Sequence, residues 1–541
     1  MKKLTLLLIS FICFATYSIS QDFYTAQERS QWLQKAQENI PVLSETLKQP
    51  KGVVNIVKDE AAYQGWKVVP ASPVQTFYKE SLKEQSGAII DFGEHITGYF
   101  TFTVSPLKPT PDAPARIKFT FGESPAELMT SFDNQDTGLS RAWLQDEIVT
   151  VMTVPDTITI SRRLAFRYVK IELLHAPSYE FTVSDMSCKA VTSATSEPEP
   201  LPASTPQIIK DIDRIALNTL KACMQTVYED GPKRDQRLWI GDLYLEALAN
   251  NYSYRNHGLT KRCLYLLAGL AEKSGFLNAT VFERPYPHPQ AKQLALDYSL
   301  IYNVALKDYL EATNDYETAN DLWKAAKRQI DMIDTCLQDN GLMNIKNAGK
   351  DWWIFIDWRD ELDKEVSLQG VSIFVLKQTY ELAKMLGKEK ELADVPKKIK
   401  KMTDAARKHF YDKKTGLFAG LENKQISYHS QFWMTISGVA SKTEAQRALK
   451  ALHNVENVVR PGAPYGYHYY IQALITCGMH TEAKDALIQY WGGMVNKGAD
   501  TFWEVYDPNN DYLSPYGFYP MNSYAHAWSC TPVYFIRKYF K

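Results

Sequence analysis

Two periodicities divide the chain. Phe100, Phe102 and Val104 alternate with Thr101 and Thr103, and Ile117, Phe119 and Phe121 alternate with Lys118 and Thr120. Ile148 to Val151, Ile158 to Ile160, and Val169, Ile171 and Leu173 continue that pattern. Gly93, Gly98, the Pro106–Pro114 stretch and Pro155 punctuate it. Side chains two apart share one face of a strand, so residues 51–191 read as an antiparallel β-sandwich. Beyond residue 207 the apolar spacing becomes three and four. Ile208, Ile212, Ile215, Thr219 and Cys223 make one amphipathic helix, with Thr205–Pro206 as its start signal. Further helices are predicted over 239–256, 260–273, 293–313, 316–337, 365–386, 388–410, 427–438, 443–453, 465–479, 481–491 and 521–540.

That makes about twelve helices without the fixed period of a solenoid. They fit a double ring of six helical hairpins, an (α/α)6 barrel over residues 207–541, whose loops at one end converge on a pocket. Trp32, Ala36, Ile40 and Leu43 predict a helical lead-in within 21–50, and Thr192–Pro206 (TSATSEPEPLPASTP) reads as a linker over 192–206.

The first twenty residues read as an address. Lys2 and Lys3 precede an apolar run from Leu4 to Ala15, and Ser18 and Ser20 mark a cut before Gln21. Export is therefore expected, and no further run is long enough to span a membrane. A formal net charge of −1, from 61 Lys+Arg against 62 Asp+Glu, argues against a nucleic-acid partner. Six cysteines remain after the cut, far apart and without metal-like spacing, and read as small buried hydrophobes. HExxH, GxSxG and phosphate-binding loops are missing too, so neither a metal nor a cofactor is expected.

Aromatics are 12% of the chain, and three segments set them among acids. The first, residues 229–242, brings Asp230, Asp235 and Asp242 together with Arg234, Arg237 and Trp239 at a loop-to-helix junction. A surface ion-pair network would account for it, but so would a site that holds one carboxyl protonated near others. The second, 351–360, interleaves Trp353, Asp357 and Trp358. The third supplies Trp503 and Glu504, then His526 and Trp528. His526 reads equally well as a hydrogen-bonded core histidine. An aromatic platform for a sugar's C–H face, beside carboxylates for its hydroxyls, points to an oligosaccharide or glycoside and to glycosidic-bond chemistry.

Residues 230–242, DGPKRDQRLWIGD, resemble the signature of bacterial α-L-rhamnosidases, glycoside hydrolase family 78. AIIDFGEHITGYFTF (88–102) and LAFRYVKIELL (164–174) are similar to that family's β-sandwich. LDYSLIYNVALKDYLEATND (296–315), TFWE (501–504) and HAWS (526–529) are similar to later parts of its barrel. The resemblance implies inverting hydrolysis of terminal α-L-rhamnosides, with Glu504 as general base and with Asp230 and Asp242 on sugar hydroxyls. Counted back from Asp242 the general acid is Asp235, an Asp where the family has Glu; counted forward it would be Gln236, which has no acidic proton. A silent carbohydrate-binding relative, or a lyase or unsaturated-uronyl hydrolase using Arg234 and Arg237, are the alternative readings.

Overall fold

The computed structural model describes residues 22–107, 114–133, 137–175, 180–290 and 293–541; the expected signal segment 1–20 lies outside them. Among the described residues, nine antiparallel strands between Ser44 and Thr192 form one sheet. The long strand Ala88–Pro106 makes this possible. Its first half pairs with Gly52–Lys58 and Leu164–His175, its second with Phe181–Thr192 and Asp156–Thr159. Register shifts between Asp91 and Ile96, and between Thr101 and Thr103, bend it from one set of partners to the next. The alternating residues do what their period dictates: Phe100, Phe102, Phe119, Phe121 and Phe166 meet edge-on and tilted in the core.

The barrel follows from the two kinds of helix in the sequence. Gln207–Cys223, His257–Gly269, Tyr316–Gln329, Val395–His409, Lys442–Ala451 and His480–Asn496 form the outer ring. Inside it stand Ile240–Asn251, Leu296–Thr313, Glu365–Met385, Tyr428–Ile436, Pro464–Thr476 and Pro532–Tyr539, each packed on its neighbour around the ring. An outer helix buries one stripe, as Ile209, Ile212, Ala216 and Leu220 do. An inner helix is enclosed nearly all round, as Leu296 to Leu306 are without a break. Among the described residues no helix is long and apolar enough to cross a membrane. All six described cysteines are buried and unpaired.

Several boundaries differ from expectation. The lead-in helix ends at Glu38, before Pro41, so Ile40 and Leu43 are not on it; Ser44–Lys48 instead pairs with Phe181–Thr192 as an edge strand of the sheet. That helix packs on the barrel helix His257–Gly269, where Arg262 donates to the Ala36 carbonyl at 2.5 Å. The stretch 316–337 breaks into Tyr316–Gln329 and Asp331–Cys336. The expected helix over 521–540 is a loop through His526, then two short helices, Ala527–Cys530 and Pro532–Tyr539. A small sheet of Leu238–Trp239, Thr280–Phe282 and His288–Pro289, too short to show a period, crosses the barrel mouth.

Candidate active site

Three loops meet over the N-terminal ends of the inner helices. The first, between Glu229 and Trp239, folds on its own carboxylate. Asp230 accepts the backbone N–H of Asp235 at 3.4 Å and of Arg237 at 3.3 Å, while its N–H donates to the Arg237 carbonyl. A cis peptide joins Arg234 to Asp235, and Gln236 takes a positive φ of 57°. Gly231 is required by its neighbours, because a Cβ there would lie 2.4 Å from the Arg234 carbonyl oxygen and 2.8 Å from Ser523 Oγ. The loop leads into Ile240–Asn251, which carries Asp242 in its first turn.

The guanidinium of Arg234 organises the centre. Its Nη1 reaches Asp235 Oδ1 at 3.2 Å and its Nη2 reaches Glu504 Oε2 at 2.6 Å, so two carboxylates sit on opposite arms of one buried cation. Arg237 holds the other oxygen of Asp235 at 3.0 Å. Glu504 also accepts from the Tyr516 hydroxyl at 2.5 Å and the Ser523 N–H at 3.0 Å. His526 Nε2 lies 3.4 Å from Asp242 Oδ1.

Asp230, Arg234, Asp235, Trp239, Asp242, Trp353, Trp358, Glu504, His526 and Trp528 all line one cavity, as do Tyr298, Phe355 and Tyr516. Its walls are aromatic. Phe355 stacks on Trp528 with centroids 5.8 Å apart, Trp353 meets Trp239 edge-on, and Trp353 remains 37% exposed at the rim. Asp297 fixes the middle loop by accepting the N–H groups of Phe355 and Ile356 at 3.1 and 2.8 Å.

Two of the residues singled out in the sequence stand elsewhere. Asp357 is buried away from the cavity, where it accepts from the backbone N–H groups of Trp358 and Gly462 and bonds to His429 Nε2, each at 2.8 Å. It is a structural carboxylate. Trp503 faces the β-domain, stacked on Tyr63 at 4.1 Å. Conversely, Tyr298 sits in a run that reads as ordinary core, Phe355 within the acid- and indole-rich segment 351–360 but not itself singled out, and Tyr516 in a Pro- and Tyr-rich stretch with no period to mark it.

Proton affinities diverge across the cavity. Burial, reinforced by Asp235 and Asp242, pushes the Asp230 carboxyl up to about 8. Burial also raises Asp242, against the pull of His526. Burial alone would raise Glu504 as well, but Arg234, His526, the Tyr516 hydroxyl and the Ser523 N–H together bring it down to about 2. On His526 burial is outweighed by Asp242, Glu504 and Asp230, so its imidazole is raised. One ionised carboxylate and one protonated carboxyl in the same aromatic cavity can serve as base and acid toward a bound acetal.

This fold and this pairing define a glycoside hydrolase. Residues 50–190 match the family 78 α-rhamnosidase N-terminal domain, and residues 203–540 match the bacterial α-L-rhamnosidase six-hairpin glycosidase domain. The rhamnosidase from Klebsiella oxytoca, solved with rhamnose bound, is 37% identical over 94% of this chain and 98% of its own, with a TM-score of 0.90. The family 78 rhamnosidase of Bacillus sp. GL1 shares the fold at 20% identity and a TM-score of 0.70, over 83% of this chain and 46% of its own. The Streptomyces avermitilis α-L-rhamnosidase, complexed with L-rhamnose, does so at 15% identity and 0.66, over 92% and 44%. A comparison with curated protein sequences found no match. The chain belongs to the α-L-rhamnosidases of glycoside hydrolase family 78.

Proposed function

We propose that this hydrolase removes terminal α-L-rhamnosyl residues with inversion, and that it acts after export. The observation that carries the reading is the Arg234 clamp, which holds Asp235 and Glu504 on opposite arms. Inversion needs two carboxyl groups set apart, by about 6.5–9.5 Å, so that a water fits opposite the leaving group. In this reading Glu504 takes a proton from that water as its oxygen bonds to the anomeric carbon. The bond to the glycosidic oxygen breaks, and that oxygen takes a proton from Asp235. Asp230 and Asp242 hold ring hydroxyls, and the indoles of Trp239, Trp353, Trp358 and Trp528 cover the sugar's C–H faces. The Klebsiella oxytoca enzyme, solved with rhamnose, supports the choice of sugar.

A second assignment rests on Asp230, the carboxyl raised to about 8. It carries a proton at neutral pH and touches the Asp235 backbone, so it can be the donor itself. Proton NMR of an aryl α-L-rhamnoside during hydrolysis tests the main reading. The β-anomer of L-rhamnose should form first, and α first would exclude inversion. N-terminal sequencing of the exported protein should begin at Gln21.

A further inference from the structure

A cavity of about 430 Å³ lies between the β-domain and the barrel, on the far side of Trp503 from the candidate catalytic carboxylates. Tyr63, Gln64, Trp66 and Tyr168 wall it on one side, Trp503 and Tyr524 on the other. We propose that this cavity is a second sugar site, taking a neutral mono- or disaccharide.

The charge pattern selects the ligand class. Each charged side chain lining the cavity already has a partner within the protein. Asp59 faces Lys67 at 3.5 Å, Arg167 holds Asp500 at 3.3 Å, Lys497 bonds to Asp511 at 2.8 Å, and Glu123 is shared by Lys233 and His95. An ionic ligand finds no unpaired countercharge. The groups left over are neutral. Gln64 spends its Nε2 on the Tyr524 hydroxyl at 2.7 Å and the Asp511 carbonyl at 3.2 Å, and its Oε1 has no partner. Gln64 is only 1% exposed. A buried polar atom without a partner is costly, and a ligand hydroxyl at Gln64 Oε1 would remove that cost.

Shape agrees. The half-buried indole of Trp66 lines the cavity, and the volume falls within the usual range for small-ligand pockets, about 300–1,000 Å³. The site is also wired to the candidate base. Trp503 immediately precedes Glu504, and Tyr524 follows Ser523, whose N–H holds Glu504.

The test is calorimetric titration of the full chain with L-rhamnose and, separately, with D-glucose, D-galactose, cellobiose and lactose. It is run on the wild type, on Asp242→Ala to cripple the catalytic cavity, and on Ala61→Trp and Gln64→Ala to fill or unpair the second cavity. At least one sugar should still bind Asp242→Ala, and its binding should weaken tenfold or more in both cavity variants. Ala61 is exposed, so Ala61→Trp should fold and keep kcat on an aryl rhamnoside within twofold. Retained binding of L-rhamnose would identify the released sugar as ligand; retained binding of another sugar would identify a neighbouring unit of a glycan. If every sugar is lost with Asp242→Ala, or if the retained binding ignores both cavity variants, the second site does not exist. None of these outcomes depends on which glycoside the enzyme hydrolyses.

Discussion

Lys233 of the barrel's first loop lies 2.5 Å from Glu127 of the β-domain, and both side chains are buried. Glu123 stands 3.1 Å from the same ammonium and accepts the Tyr524 N–H at 2.7 Å. Lys233 also donates to the carbonyls of Asn522 at 2.5 Å and Pro520 at 3.2 Å. One cation thus joins the loop carrying Asp230, Arg234 and Asp235, the segment supporting Glu504, and the β-domain. The sandwich buttresses two loops of the site from behind, while the cavity itself is lined by barrel residues.

Removing one member of this cluster leaves uncompensated buried charge, which costs about 3–5 kcal/mol. Lys233→Met and Glu127→Gln should each lower the free energy of unfolding, measured by denaturant titration, by that much, and lower kcat as well, because Arg234 is the next residue. The double variant Lys233→Met/Glu127→Gln should cost less than these same two singles added. An additive cycle would show that the pair is not coupled.

The choice between Asp235 and Asp230 as acid turns on the leaving group. A leaving group that departs readily as an anion needs little protonation, whereas an alkyl or sugar alcohol needs it fully. General acid help is worth about 10²–10⁴-fold. Asp235→Asn should therefore lose about that factor on a disaccharide while hydrolysing 2,4-dinitrophenyl α-L-rhamnoside close to normally. Asp230→Asn, if it only loses a sugar contact, should lose both activities alike. The reverse pattern in a set of aryl rhamnosides would move the acid to Asp230.

Asp230 makes stability depend on pH in a stated direction. Its folded carboxyl is raised to about 8, against about 3.9 in the unfolded chain. The folded state therefore holds a proton that the unfolded state has released. Its contribution is complete below about pH 4 and drains away as pH rises through about 8. Asp230→Asn, which mimics the protonated form, should flatten that part of the melting-temperature profile. An unchanged slope between pH 5 and 8 in the variant would mean that another group is responsible.

How far the sequence announces this depends on what each residue type can signal. Period two and period three-to-four disclose sandwich and barrel because burial on one face imposes them. Asp230, Asp235 and Asp242 stand out because acids crowded beside arginines are expensive unless used. Tyr298 cannot be told from core by composition, since a sugar's C–H face is met by the same rings that fill a core. Asp357 has the appearance of a site acid, and only its three partners, Trp358, Gly462 and His429, show otherwise. Trp503 misleads by adjacency. Outside a helix, consecutive side chains tend to point opposite ways, so the one beside Glu504 faces away from the cavity. The loop through His526 was hidden because its aromatic residues mimic helical spacing.

Tyr516 provides the sharpest test of the base. Its hydroxyl donates to Glu504 at 2.5 Å and accepts from Arg234 Nη2 at 3.0 Å, while its ring packs edge-on against Trp358 at 6.1 Å and beneath the Arg234 guanidinium at 4.5 Å. Tyr516→Phe removes the hydroxyl and keeps the packing. The Glu504 carboxylate loses one of the donors that hold it near 2, so its proton affinity must rise. The acidic limb of kcat/KM should move to higher pH. A hydrogen bond to a charged group is worth about 1.5–3 kcal/mol, so kcat should fall by roughly ten- to a hundredfold through loss of positioning. KM should change little, because the phenol oxygen is occupied by Glu504 and Arg234 rather than by substrate. A raised KM with an unmoved acidic limb would instead place the Tyr516 hydroxyl on the sugar.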